Sequence, residues 1–247
     1  MSAFTPQKLK STIKTIGLML ISKVYSDKSS KYIYYHDIHS NKQYTDMSTY
    51  IELFINHIKL IKEMGYEIVP EITATHGQIA IGFDDGFRGL YDNFQTLIDN
   101  HIPVTLFLVC DFLNKDTFVK IKEVHQMLDS GLLTIGSHTC SHNNLADRDE
   151  VEITAEIVDS KAKLEKLFNL KIQSLCFPRG IYSDLVVEKS KMATYSEVFS
   201  SVPGNACPNE FVKKRNLVQH ANSMEFKAIL SGVLNLFSKR YVKQHKV

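Results

Sequence analysis

The sequence predicts an α/β protein organised around a parallel sheet, in a single domain. Three observations carry that reading. Beyond residue 30, strand-like and helix-like segments alternate six or seven times, and parallel strands need a crossover, usually a helix, between each neighbouring pair. The strand-like segments are short apolar runs without clean period-two alternation, as expected when both sheet faces are covered. No G-x-G-x-x-G follows an early strand, so a dinucleotide-binding sheet has no support. An incomplete or distorted (β/α) barrel fits the strand count better than a doubly wound sheet.

The elements follow in order. Lys31 to His36 (KYIYYH) is rich in β-favouring aromatics and reads as the first strand. A helix is expected from Ser48 or Thr49, with Ile51, Phe54, Ile55, Ile58 and Ile61 on one stripe and Gly65 at its end. Tyr66 to Val69 suggests a short strand, and Ile79 to Phe83 a clear one. A helix through Leu90, Phe94, Leu97 and Ile98 leads to a strand at Val104 to Val109. A second crossover carries Phe118, Ile121, Val124 and Leu128, ahead of a strand from Leu132 to Ile135. Asp147 with Glu150 forms the expected capping box of a long helix reaching Leu167. Leu175 to Phe177, a helix from about Asp184 to Ala193, and strands at Val198 to Ser200 and Leu217 to Val218 complete the alternation. One C-terminal amphipathic helix should carry Phe226, Ile229, Leu230, Val233, Leu234 and Phe237. The expected division is residues 1–30 as an N-terminal helical extension, 31–222 as the barrel and 223–247 as the C-terminal helix and basic tail.

Composition excludes several classes. A formal net charge of +2 gives no sign of the basic concentration that nucleic-acid binding requires, so no nucleic-acid partner is expected. No stretch reaches the roughly 20 apolar residues of a bilayer span. Ile16 to Ile21, preceded by Lys8, Lys10 and Lys14, loosely suggests a signal peptide, but it is short and no small-x-small cleavage site follows. A cytoplasmic location is the expectation. Both ends are basic and amphipathic, through Leu9, Ile13, Ile16 and Leu20 at one end and Lys239, Arg240, Lys243 and Lys246 at the other. Such ends suit either packing on the barrel wall or peripheral contact with an anionic membrane. The cysteines Cys110, Cys140, Cys176 and Cys207 include no C-x-x-C pair, which argues against a zinc ribbon or thioredoxin motif.

Two clusters carry the chemistry. Asp84 and Asp85 end the apolar run Ile79 to Phe83 and lead into Gly86. About fifty residues later, the apolar run through Ile135 ends in His138-Thr139-Cys140-Ser141-His142. Barrel and open α/β folds place their chemistry on the loops that follow strands. Two imidazoles and a carboxylate suit zinc or a similar divalent ion, and three protein ligands leave positions open for water and substrate. Adjacent carboxylates at a strand end point in different directions, so one can bind metal while the other accepts a proton from water.

Phe83-Asp84-Asp85-Gly86, His138-Thr139-Cys140-Ser141-His142 and Phe177-Pro178-Arg179-Gly180-Ile181-Tyr182 together resemble the polysaccharide deacetylases with a NodB-like domain (carbohydrate esterase family 4). Tyr34-Tyr35-His36-Asp37-Ile38 resembles that family's early Tyr-His strand, and Ile102 to Phe107 the strand after its first motif. The resemblance implies a distorted (β/α)7 barrel that removes acetyl groups, most often N-acetyl, from sugars. It implies Asp84 as general base, and Asp85, His138 and His142 as ligands of a divalent metal, Zn²⁺ above all. It also implies an oxyanion donor in the Pro178 to Tyr182 loop and a late histidine, His220, as the acid. Pro178, Arg179, Tyr182, His36 and Arg215 are the candidate substrate contacts. The substrate class is an acetylated sugar or glycan, free, polymeric or lipid-linked, with surface-polysaccharide assembly as the setting.

Two departures from the family pattern bear on function. Many members carry Arg two residues before the Pro178 position, where it orients the catalytic carboxylate; this sequence has Cys176 there. Gly82 stands where Ser or Thr is common. These leave two rivals, a catalytically silent carbohydrate-binding barrel and a hydrolase of a non-peptide C–N bond in a small metabolite.

Overall fold

The computed structural model describes Gly17 and residues 27–247. The expected N-terminal helix with Leu9, Ile13, Ile16 and Leu20 lies outside the described residues.

The main sheet is parallel at every pairing. Its path runs from β1 (Lys31–Tyr35) to β5 (Gln78–Phe83), β6 (Val104–Leu108), β7 (Leu133–Ser137), β8 (Ser174–Cys176) and β9 (Glu197–Phe199). A last run then splits. β10 (Val212–Lys213) pairs with β9, while β11 (Arg215–Leu217) pairs with β1. The ladder that leaves β1 therefore returns to it through one broken strand, which is the sense in which the barrel is distorted. β4 (Glu67–Ile68) occupies the lower part of the β5 edge whose upper part pairs with β6. A small separate pair, β2 (Asp37–His39) with β3 (Ser48–Tyr50), flanks the entry of the first helix.

The helices are α1 (Ile51–Glu63), α2 (Gly89–Asp92), α3 (Phe94–Asp99), α4 (Ile121–Leu128), α5 (Glu150–Phe168), α6 (Asp184–Met192), α7 (Ser223–Leu230) and α8 (Ser238–His245). Phe54, Ile58 and Ile61 on α1, and Ile153, Ile157 and Leu164 on α5, are buried against the sheet exterior, as their spacing predicts. A second cluster fills the lumen, with Tyr32, Ala80, Phe107, Cys176 and Phe199 in contact. The narrow lumen explains Gly136: a Cβ there would lie 2.4 Å from the Phe107 ring.

Three local expectations are corrected. Ser48 and Thr49 form β3 instead of the first helical turn, because they find a strand partner in β2. The cap of α5 is Asp149, whose side chain accepts from the Glu152 amide at 2.9 Å, and Asp147 ends a preceding 3₁₀ turn. The C-terminal helix is broken. Gly232 adopts φ +80°, and a 3₁₀ segment Val233–Phe237 separates α7 from α8.

α7 is tied to the barrel through His57. Its Nδ1 accepts from the Tyr35 hydroxyl at 2.9 Å, its Nε2 donates to the Ala221 carbonyl at 2.8 Å, and its ring stacks on Phe226 at 3.9 Å. Both nitrogens are used by the neutral ring, and burial lowers its pKa from 6.5 to about 4. The unfolded chain therefore binds a proton that the folded one refuses. This contribution is complete above pH 6.5 and is lost as pH falls toward about 4, a change of roughly 3 kcal/mol. Urea titrations across that range should give a shallower pH slope for His57→Gln than for the parent; equal slopes would contradict the assignment.

Candidate active site

The register of β1 on β5 aligns Tyr35 with Phe83, so His36 stands level with Asp84 at the strand ends. The Asp84 amide donates to the Tyr35 carbonyl at 3.0 Å, which continues the ladder to the first catalytic candidate. The chain then turns sharply, with Asp85 at φ +71° and Gly86 at φ +82°. That turn aims the two carboxylates apart. Asp84 enters the lumen, and Asp85 faces the loop after β7.

On that loop, the His138 amide still donates to the Leu108 carbonyl at 2.8 Å. Thr139 and His142 have φ values of +69° and +64°. With Asp85 and Arg179 (φ +58°), half of the eight described non-glycine residues at positive φ lie on these three strand-end loops. Such backbone costs about 1–3 kcal/mol per residue and persists only where its surroundings enforce it. Enforcement comes from Glu156 on α5, which accepts from the amides of Cys140 and Ser141 at 2.8 and 3.0 Å and from the Ser141 hydroxyl. The His142 amide also donates to Thr139 Oγ1 at 3.2 Å.

Asp85, His138 and His142 converge as expected. His138 Nε2 lies 3.4 Å and His142 Nε2 3.2 Å from Asp85 Oδ1. That oxygen is buried and has no hydrogen-bond partner. Tetrahedral ligands about 2.1 Å from a shared ion sit about 3.4 Å apart, so the donor set fits a divalent cation. His138 Nδ1 donates to the Cys176 carbonyl at 2.7 Å, which fixes the tautomer and leaves Nε2 as the ligand atom. The His142 side chain is 26% exposed, so the site is open on that side. Burial pushes the Asp85 carboxyl up, yet the imidazoles of His138 and His142 facing it hold it far below the carboxylate range. Burial pushes His138 down, yet Cys176, Asp85 and Asp84 hold it well above its usual value. The pocket favours positive charge.

A rival donor set, Asp84, His138 and Cys176, is equally compact, but its donors are occupied. Arg215 Nη1 and Nη2 donate to Asp84 Oδ1 and Oδ2 at 2.7 and 2.9 Å, and Nη2 also lies 2.9 Å from Cys176 Sγ. A cation beside that guanidinium would be repelled.

Arg215 answers the question that Cys176 raised. It reaches Asp84 from β11, one strand beyond β1, and supplies the bidentate partner that this sequence lacks two residues before Pro178. This corrects the expectation of a substrate contact: Arg215 is 1% exposed, with Tyr34 against its guanidinium plane at 4.1 Å. Burial would raise the Asp84 pKa, but Arg215 foremost, with His138 and His36, holds it below the usual range.

The remaining candidates separate. His36 is half-buried, and its Nδ1 donates to Gln219 Oε1 at 2.5 Å. His220 is exposed, one residue beyond Gln219, and lines a groove with Tyr34, Arg215 and Leu217. Pro178 is buried at the start of a 3₁₀ turn and Arg179 is exposed. Within the following loop the amides of Gly180, Ile181 and Tyr182 already donate to Phe177, Pro178 and His245. Tyr182 turns inward and stacks on Phe177 at 5.4 Å, so it packs where a groove contact was expected. Glu156 and Gln219 escaped sequence reasoning. Glu156 sits mid-helix among other acidic residues, and Gln219 carries no motif.

The sequence model of the polysaccharide deacetylase family matches residues 71–198, more than half of the chain. The chain belongs to that family. YxkH of Bacillus subtilis (strain 168) is 22% identical over 164 residues, which span 62% of this chain and 58% of that protein. IcaB from Ammonifex degensii superposes with a TM-score of 0.73 at 18% identity, covering 83% of this chain and 98% of that one. The de-N-acetylase from Aggregatibacter actinomycetemcomitans gives 0.71 at 17% identity, covering 81% and 99%. At these identities the likeness is one of fold, the α/β NodB-like deacetylase architecture that the sequence predicts.

Two outcomes test this geometry. Arg215→Met leaves Asp84 buried without its partner and should cost about 3–5 kcal/mol in urea unfolding; adding Asp84→Asn should recover part of the loss. Glu156→Ala should weaken Zn²⁺ binding about 10–100-fold by calorimetry while the fold is retained.

Proposed function

We propose that this protein is a metal-dependent sugar deacetylase that hydrolyses N-acetyl groups. The observation that carries the proposal is the pairing of a three-donor cation site with a second, separately anchored carboxylate at the same strand ends. The family membership and the de-N-acetylase among the solved neighbours support the reaction class.

Asp85, His138 and His142 would hold the cation, which when bound supplies Lewis-acid polarisation of an acetyl carbonyl and of water. Asp84 takes the proton of the attacking water. Arg215 keeps that carboxylate ionised and aimed, and with the Cys176 thiol also on Oδ2 at 3.7 Å, about one of its roughly four lone-pair directions stays available. The Arg179 amide, outside the bonds made by its neighbours, is the candidate donor to the developing oxyanion. The sugar nitrogen must then gain a proton to leave. His36 is the better candidate for that step, because it is level with Asp84 and its Nδ1 is held by Gln219. Its Nε2 is left to exchange a proton. His220 is the second candidate.

The acid roles part in a direct comparison. His36→Ala should lower the rate of acetate release from acetylated chito-oligomers by roughly 10²–10⁴, and His220→Ala by less than about tenfold; the reverse order would return the role to His220. Asp84→Asn should abolish acetate release while Zn²⁺ still binds, and chelation should silence the parent until metal is restored. A metal-loaded protein that binds glycans yet releases no acetate from a broad acetylated panel would overturn the enzyme reading.

A further inference from the structure

We propose that residues 236–246 form a docking surface for an anionic lipid bilayer. The segment has two unlike faces. Its inner face is committed to the protein. Leu234, Tyr241 and His245 wall a groove of about 490 Å³ whose other side includes Tyr34, Arg215 and Gln219. The segment is fixed there by the Tyr182 amide on the His245 carbonyl at 2.9 Å, by the Val247 amide on the Tyr182 carbonyl at 3.1 Å, and by an ion pair of Lys246 with Asp184 at 2.7 Å.

The outer face is of a different character. Leu236 and Phe237, consecutive at the end of the 3₁₀ turn, are 55% and 41% exposed. None of the residues of α8 is buried. Lys239, Arg240 and Lys243 are exposed along it, apart from Lys246, which Asp184 pairs. From Phe226 to Val247 the sequence contains no Asp or Glu and five Lys or Arg. A large apolar pair beside a run of uncompensated basic charge matches the two phases of a bilayer surface. Apolar side chains enter the acyl boundary, and cations meet anionic headgroups. A soluble polyanion would satisfy the lysines but leave Leu236 and Phe237 in water, so lipid is the occupant the surface favours.

Since one segment carries the docking face and walls the groove beside Arg215, the substrate class suited to it is an acetylated sugar borne on a lipid anchor. That consequence rests on the deacetylase reading; the docking does not.

The test uses the full chain and vesicles of phosphatidylcholine, alone or with about 30% phosphatidylglycerol. Co-sedimentation with anionic but not neutral vesicles is expected, weakening as salt rises. Leu236→Ser/Phe237→Ser, and separately Lys239→Glu/Arg240→Glu/Lys243→Glu, should each reduce binding at least about tenfold at an unchanged urea midpoint. The chain has no tryptophan, so Phe237→Trp provides a single local reporter that does not depend on a disruptive variant. Its emission should shift to the blue on anionic vesicles. Binding that survives both variants would assign docking to another part of the chain and overturn the proposal. An unshifted tryptophan on bound vesicles, or equal binding to polyglutamate, would overturn it too. Lipid binding without acetate release from any acetylated substrate would sink only the deacetylase reading.

Discussion

The ion pair of Arg215 with Asp84 is the constraint around which the site is arranged. Both residues lie in the barrel lumen, 1% and 3% exposed, where an unpaired charge would be very costly. The pair is tolerable because its geometry is bidentate, at 2.7 and 2.9 Å, and because aromatic faces line the guanidinium, with Tyr34 at 4.1 Å and Phe107 at 5.4 Å. Arg215 also begins β11, the half-strand that returns the ladder to β1. Closing the barrel and anchoring Asp84 are thus one event. A change that displaced β11 would release Asp84, and a change that neutralised Asp84 would strand a buried guanidinium beneath the site.

Much of this was legible in the sequence because burial writes strongly into composition. Short apolar runs such as Ile79 to Phe83 and Leu132 to Ile135 have few alternatives to a covered strand, and polar residues placed at their ends must sit at a sheet rim. That placement brings an acidic pair and a histidine pair to one rim, and the family resemblance is what singles out Asp85, His138 and His142 among them. What could not be read was pairing across the lumen. Arg215 lies 131 residues from Asp84, and although the sequence singles it out as a substrate contact, nothing local ties it to that carboxylate. Cys176 looked like a lost arginine, since sequence records which residue is missing from one strand and not which other strand supplies the charge. Glu156 was hidden for a related reason. On an amphipathic helix an acidic residue reads as solvated until the loop it holds is known. The shift of the α5 cap from Asp147 to Asp149 reflects a smaller ambiguity, because an acidic-rich approach to a helix offers several side chains capable of capping.

Strain and restraint balance at the rim. Asp85, Thr139, His142 and Arg179 all hold left-handed backbone, and each is adjacent to a fixed anchor. Glu156 binds two amides of the histidine loop, and the Cys176 carbonyl takes the His138 Nδ1 proton. Cys176 therefore serves the site with its backbone, while its small buried thiol leaves room for the incoming arginine and touches both Arg215 and Asp84.

Charge bookkeeping at the strand ends then decides what the site can hold. Arg215 cancels Asp84, which leaves Asp85 as the anion that faces the two imidazoles of the donor set. A divalent ion bound there would retain net positive charge and so favour an oxygen that becomes negative as a carbonyl is attacked. Had Asp84 lacked its partner, two adjacent carboxylates would compete for the same cation or for a proton. The difference between the neighbouring aspartates thus comes from a residue on β11, one strand beyond β1, through the single full charge it contributes to the lumen.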